Sequence, residues 1–347
     1  MLVAELASMA RLSKTKGRRL TSIFFGGGTP SLMQPETVAR ILTEAAGLFQ
    51  LDSTTEITLE ANPTRLETGR ISEFVSAGIN RLSFGIQSLD DENLRFLGRQ
   101  HSAAEALAAI ETARQLTDRV SCDFIYALPG QEITGWQAEL EQILGLGLDH
   151  LSLYQLTLEP GTQFYSRHRR GLMTMPDELL TGDMFRHTRD RLAAAGLPGY
   201  EVSNHARPGQ ESLHNLVYWQ AGDWLGIGPG AHGRFWLDGL RWETRCRRHP
   251  DAWLDQVARD GSAIDGKQAE APQAYATEAL MMGLRLQQGV ALDSVEAHAG
   301  PRDQWLDTAA VERFADAGLV ILEDKHLRLA EDGLVLLNSI LGKLLLE

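Results

Sequence analysis

Five short apolar stretches recur through the first half of the chain, at Ser22–Phe25, Glu56–Glu60, Arg81–Ile86, Ser121–Ala127 and Leu151–Leu158. Between them and after the last, apolar residues return at helical spacing over Pro35–Phe49, Glu67–Ala77, Ala103–Leu116, Thr134–Leu146 and Asp177–Ala195. Strand and helix alternating in this way predict right-handed crossovers and a parallel sheet, so the expected fold class is α/β. The strands also end alike. Each runs into Gly, Pro or a polar cluster: Gly26–Pro30, Ala61-Asn62-Pro63, Gln87-Ser88, Leu128-Pro129-Gly130 and Glu159-Pro160-Gly161. Barrels and open α/β sheets bind their ligands at these C-terminal strand ends.

The run Gly26-Gly27-Gly28-Thr29-Pro30 is the sharpest of these endings. Its glycines remove side chains from the strand end and admit positive φ, so backbone amides can approach a polar ligand closely. Pro30 then stops the strand. Chemistry-bearing residues mark the other ends: Glu60 closes the second strand, Gln87 follows the third, and Asp123 lies within the fourth. An acid inside an apolar strand is costly to bury unless it is paired or binds something. A helix cap or loop hydrogen bond would explain any one of these residues alone. Together on one sheet edge they point to a site for a polar small molecule.

Net charge and cysteine content narrow the field. The formal charge of −13 over 347 residues lacks the basic excess that general nucleic-acid binding needs. No apolar run reaches the roughly 18 residues of a membrane span, and Met1–Leu6 lacks the basic-then-apolar order of a signal peptide. A cytoplasmic protein is expected. Cys122 and Cys246 are the two cysteines of the chain, which fits a reducing compartment and is too few for an iron–sulfur or structural zinc site.

The strand–helix rhythm lapses between about Tyr200 and Ala271, a segment rich in Gly, Trp, His and Arg. It returns from Pro272 with expected helices Tyr275–Gln287, Leu292–His298 and Ala309–Ala317, a two-stranded wing at Val320–Leu329 and a last helix at Leu334–Leu346. That is the winged-helix order. With six Lys/Arg against twelve Asp/Glu, the segment carries the wrong sign for phosphate contacts and reads as a packing or docking module. The expected organisation is therefore a barrel at 1–205, a connecting segment at 206–271 and a winged-helix-like domain at 272–347.

GGGTP at Gly26–Pro30, ExNP at Glu60–Pro63, GIQS at Gly85–Ser88, LGRxH at Leu97–His101 and DxIYxLPGQ at Asp123–Gln131 occur in one order over about two hundred residues. In this set the chain resembles the radical S-adenosylmethionine enzymes. The resemblance is to the branch that holds the oxygen-independent coproporphyrinogen III oxidases and the HemW heme chaperones. HNxxYW at His214–Trp219 and GIGPGAH at Gly226–His232 favour the HemW side, and the acidic C-terminal segment matches the C-terminal domain of that branch. The resemblance implies a partial (β/α)6 barrel holding S-adenosylmethionine beside a 4Fe-4S cluster. It implies cofactor contacts from Gly27, Gly28 and Thr29 on the glycine loop, from Glu60, and from Gln87, Arg99 and Asp123. A zwitterionic, sulfonium-bearing ligand suits acids, an arginine and open amides.

One departure stands out. Members of the branch hold their cluster through C-x3-C-x2-C ahead of the GGGTP strand, and this sequence has no cysteine before Cys122. The first barrel strand is expected to be missing with that motif, as in an N-terminally truncated chain, which leaves Ser22–Phe25 as an unpaired sheet edge. No catalytic residue and no metal ligand is assigned. For heme, His214 and His232 are candidate axial ligands, because neutral imidazole is a usual donor to heme iron. Tyr218, Trp219 and Trp224 are candidates to pack on the porphyrin, and Arg241, Arg245, Arg247 and Arg248 to pair with its propionates. The function so implied is binding of heme and its transfer to apo-hemoproteins, in a monomer or a homodimer. Two rivals are oxidative decarboxylation of coproporphyrinogen III on the same fold, and a cluster-free interaction module.

Overall fold

A computed structural model describes residues 1–346, without the side chains of residues 65 and 66. Its main sheet has six strands in sequential order: β1 (Ser22–Phe25), β2 (Glu56–Ala61), β3 (Arg81–Gln87), β4 (Val120–Tyr126), β5 (His150–Gln155) and β6 (Asn204–Ala206). The pairs from β2 to β5 are parallel, joined by helices that include Ala103–Arg114 and Ile133–Gly145. This is the expected α/β class, and β1 lies at the sheet edge, hydrogen-bonded to β2 on its inner side. Two differences follow from local sequence. β6 pairs antiparallel to β5, where a wholly parallel sheet was expected, because the chain reverses on itself between Gly199 and His205 before Asn204–Ala206 joins the sheet. The segment expected as one helix at Glu67–Ala77 is two, Arg65–Thr68 and Ile71–Ser76, interrupted by a turn at Gly69-Arg70.

The chain divides into two compact units. The sheet unit comprises Phe24–Pro35 and Ile57–Ser212. One face of its strands is apolar and buried, with Leu59, Leu82, Phe84, Cys122, Phe124, Leu151 and Leu153 at most 3% exposed. That burial supplies the main driving force of this unit at about 25 cal/mol per Å² of apolar surface. The alternate positions on the same strands are polar, so the sheet does not read as the continuous apolar run of a strand covered on both faces.

The second unit comprises Met1–Ile23, Glu36–Glu56 and the chain from Leu213 on. The segment expected to be irregular contains an antiparallel sheet, β7 (His232–Leu237), β8 (Leu240–Cys246) and β9 (Ile264–Ala269). Asp238 and Gly239 close the first hairpin at φ of 53° and 80°, the two positive values of a two-residue turn that matches strand twist. The C-terminal elements follow the expected order: helices Pro272–Gly283, Leu292–Ala299 and Thr308–Asp316, then β11 (Val320–Glu323) and β12 (His326–Leu329). The wing gains a third short strand, β10 (Val290–Ala291), on the free edge of β12. Among the described residues no helix is long and apolar enough to cross a membrane.

Candidate functional site

The polar face of the sheet is organised in rows. Glu60 pairs in register with Ser83, Ser83 with Ser121, and Ser121 with His150. One level nearer the C-terminal ends, Gly85, Asp123, Ser152 and Asn204 follow one another across β3 to β6. The glycine loop sits over the Glu60 end of this face. Gly27 and Gly28 adopt φ of 77° and 53°, and the Gly27 N–H donates to Glu60 Oε2 at 3.2 Å. Thr29 leads into a short turn of helix at Pro30–Leu32.

Gln87 ends β3 at φ 77°, a conformation costly for a side chain bearing Cβ, beside an irregularity in the β3–β4 register. The twist turns its amide back over Gly85. A Cβ at Gly85 would lie 3.0 Å from Gln87 Nε2, 3.7 Å from Arg99 Nη2 and 4.0 Å from Asn62 Oδ1, so the missing side chain leaves a cradle lined by three polar groups. Burial pushes Glu60 above the ordinary carboxylate range, against the opposing Gly27 N–H. Burial also pushes Asp123 up to about 6, although Ser152 donates to it and Arg81 and Arg99 lie nearby. The Arg99 guanidinium is shifted down by burial, with Asp123 acting in the other direction. An acid and a base that remain strained by desolvation despite each other's charge suit a ligand bearing both signs.

Gly27, Glu60, Gln87, Arg99 and Asp123 are thus gathered at one edge, with Gly28 and Thr29 on the adjoining loop. The sequence reading missed Asn62, Ser152 and Asn204, which share that polar face. Ser152 carried a signal in the period of two of Leu151-Ser152-Leu153, whereas Asn62 lies just past its strand and Asn204 in a strand with no apolar run.

The heme candidates lie in the second unit. In helix Leu213–Trp219 the His214 ring meets Tyr218 edge-on at 4.7 Å, and Tyr218 meets Trp224 at 4.6 Å. Trp224 Nε1 donates to the backbone carbonyl of His232 at 3.2 Å, so His214, Tyr218, Trp224 and His232 form one connected group. The His232 side chain is exposed at the start of β7. Trp219 points elsewhere and packs under the Arg285 guanidinium at 4.6 Å.

The arginine expectation needs correction. Arg241 is 1% exposed and ion-paired with Glu278 at 3.3 Å and Glu270 at 3.4 Å, while its Nη1 donates to the Ala221 carbonyl. Trp224, Trp236 and Tyr275 enclose its guanidinium. A cation so committed cannot meet a propionate. Arg245, Arg247 and Arg248 are all on the surface, Arg247 paired there with Gln256 and Asp265.

A sequence model of the Radical SAM superfamily matches residues 1–153, and a HemN C-terminal domain matches residues 271–336. Over 352 residues the chain is 41% identical to Radical S-adenosyl methionine domain-containing protein 1, mitochondrial, of Bos taurus, covering 99% of this chain and 79% of that protein. The chain belongs to the radical SAM superfamily. Heme chaperone HemW of Escherichia coli is 35% identical over 96% of this chain and 86% of its own length. In three dimensions the chain matches coproporphyrinogen III oxidase (HemN) of Escherichia coli at a TM-score of 0.78 and 21% identity, over 98% of this chain and 81% of that one. This likeness shows the radical SAM fold in its HemN-like form, with the C-terminal domain present.

Membership implies S-adenosylmethionine and a 4Fe-4S cluster, and the residues of this chain fit the two differently. The Gly85 cradle, the desolvated Glu60 and Asp123 and the half-buried Arg99 suit the amino-acid and sulfonium groups of S-adenosylmethionine. The cysteines do not suit a cluster. Cys122 is buried in β4 with its thiol well above its ordinary pKa, and Cys246 is buried in β8 with its thiol pushed up to about 12, both mainly by burial. Cluster ligation needs thiolates. Among the described residues no group of three or more His, Cys, Asp or Glu is placed to hold a metal ion.

Proposed function

We propose that this radical SAM protein works in the manner of HemW, binding heme as cargo and passing it to apo-hemoproteins. The reading rests chiefly on the connected aromatic group at HNxxYW and GIGPGAH, where His214, Tyr218, Trp224 and His232 meet in one unit. Relatives named heme chaperone HemW, such as the Escherichia coli protein at 35% identity, support it. In this reading the exposed imidazole of His232 and the ring of His214 supply nitrogen donors to iron. Tyr218 and Trp224 offer aromatic surface, while Arg245 and Arg248 are the surface cations left to meet propionates. Trp219 acts by packing helix Leu213–Trp219 against Arg285.

S-adenosylmethionine belongs to the sheet unit in the same proposal. Gly27, Gly28 and Thr29 present backbone to the ligand, Glu60 and Asp123 offer carboxylates to its ammonium and sulfonium charges, and Gln87 and Arg99 supply donors. These residues would hold S-adenosylmethionine, and the radical chemistry of the superfamily would need a 4Fe-4S cluster that the cysteines of this chain do not fit. The chain's own contribution is to bind and orient the ligand. A cytoplasmic location is part of the proposal, although several relatives carry "mitochondrial" in their names.

Heme titration of the purified chain tests the cargo. A saturable Soret shift is expected, lost or displaced in His232→Ala and His214→Ala. No saturable shift in the unaltered protein would overturn the reading. Conversion of coproporphyrinogen III to protoporphyrinogen, dependent on S-adenosylmethionine, would replace it with the oxidase.

A further inference from the structure

The short helix Arg65–Thr68 after β2 holds a buried carboxylate that the cofactor assignment leaves unused. Glu67, 6% exposed, is surrounded by donors. Its Oε2 accepts from the Asn62 backbone N–H at 2.8 Å and from the hydroxyl of Ser31, itself 2% exposed. Its Oε1 accepts from Asn62 Nδ2 at 3.3 Å and from Thr64 Oγ1 at 3.2 Å. One side chain thus ties the residue after GGGTP to the asparagine of ExNP. Of the two, the ExNP segment reaches the Gly85 cradle, through Asn62.

Chemistry fixes which way Asn62 points. A carboxylate only accepts, so the amide edge facing Glu67 must be the NH2 group. The carbonyl oxygen is left on the opposite side, where it lies 4.0 Å from the Cβ position missing at Gly85, in the space also reached by Gln87 Nε2 and Arg99 Nη2. Two donors and one acceptor then face one cradle. We propose that Asn62 is a further ligand-contacting residue of this pocket, its side-chain carbonyl accepting from an N–H of the bound nucleoside-amino-acid ligand, and that Glu67 is the positioning residue that holds it there. This inference rests on the reading of the pocket as an S-adenosylmethionine site. It adds an acceptor that discriminates the ligand by its donors, where Gln87 and Arg99 discriminate by its acceptors.

Calorimetric titration of S-adenosylmethionine into the full chain tests it, with Asn62→Ala, Glu67→Gln, their double variant and a thermal melt of each. Asn62→Ala is expected to weaken binding five- to tenfold with an unchanged melting temperature. Glu67→Gln should weaken it to a similar degree, and the double variant no further than the worse single one, because both remove the same contact. Losses that multiply would show Glu67 acting on general structure and overturn its role. If Glu67→Gln does not fold, Asn62→Asp decides. It keeps an oxygen toward the pocket but sets a carboxylate against Glu67, so binding must fall, and unaltered affinity overturns the positioning. Unaltered affinity in Asn62→Ala while the unaltered chain binds overturns the contact alone. An unaltered chain that takes no S-adenosylmethionine overturns this proposal together with the reading beneath it.

Discussion

Glu5 and Glu60 are both glutamates withdrawn from water, one in each unit, and they are treated in opposite ways. Glu5, 0% exposed on helix Leu2–Leu12, accepts from Gly228 N at 2.8 Å, Trp253 Nε1 at 2.9 Å, Ala263 N at 3.0 Å and Cys246 Sγ at 3.6 Å. Every lone-pair direction is used, and the carboxylate serves as a knot for the Gly226–His232 loop and the sheet beside it. Glu60 accepts one hydrogen bond among the described residues, from Gly27, and burial raises its pKa. A related contrast separates Arg241, enclosed by three aromatic rings and ion-paired with Glu270 and Glu278, from Arg99, half-buried with its pKa lowered by burial. Glu5 and Arg241 are committed to partners within the protein, whereas Glu60, Arg99 and Asp123, each shifted by burial, gather at the strand ends where a ligand can reach them.

The largest expected effect lies on the structural side. Glu5→Ala strands three buried N–H donors at about 1–3 kcal/mol each, so a loss of at least about 3 kcal/mol in urea unfolding is expected. A loss below about 1 kcal/mol would break the contrast, since Glu5 would then be no knot.

Asp123→Asn should act the other way. The folded pKa of Asp123, about 6, lies above the ordinary 3.8, so protonated Asp123 stabilises the fold below pH 4 and this contribution is lost as pH rises through 6. At pH 8 the ligand-free variant is therefore expected to gain up to about 3 kcal/mol over the parent protein, a gain that shrinks toward pH 5. Denaturant melts at both pH values measure it, and an equal loss at both would show that Asp123 is already satisfied.

Gly85→Ala sharpens the pocket side alone. Its added methyl group crowds the flexible end of Gln87, not backbone, so the melting temperature should hold within a degree or two while S-adenosylmethionine affinity falls at least about tenfold. A normal affinity would mean that the cradle is not where the ligand sits.

The smallest effect is a control of opposite sign. His205 sits on the apolar face of β6 with its pKa lowered to about 3, chiefly by burial. Its contribution is intact above about 6.5 and lost as pH falls, by roughly 0.7 kcal/mol between pH 7 and pH 6. His205→Gln should flatten that acid limb without touching the Asp123 limb.

Much of this fold was legible because burial writes itself into sequence. The apolar runs of β1 to β5 placed the strands within a residue or two at their starts, and Gly26–Pro30 placed the loop. β6 escaped because its three residues, Asn204-His205-Ala206, form no apolar run, and pairing with β5 alone makes them a strand. β7 and β8 escaped although Asp238-Gly239 is a strong hairpin signal, because Arg, Trp and His in those strands read as surface. The site was legible where one residue carries a charge, as at Glu60 and Asp123. Asn62 and Glu67 were not, because their part depends on a hydrogen bond that places an oxygen, and spacing alone does not encode orientation. Arg241 misled for the same reason: a guanidinium in an Arg-rich stretch looks solvated until its partners Glu270 and Glu278 are seen.

The central claim is that the partly buried carboxylate near the end of β2, held by the Gly27 N–H, binds a cationic ligand. Titration of S-adenosylmethionine into the full chain and into Glu60→Gln, each with a thermal melt, tests it most directly. The account expects saturable one-to-one binding by the unaltered chain. It expects at least a tenfold loss in Glu60→Gln, with a melting temperature equal or higher because a desolvated charge has been removed. No binding by the unaltered chain, or equal affinity in the two proteins, would contradict it.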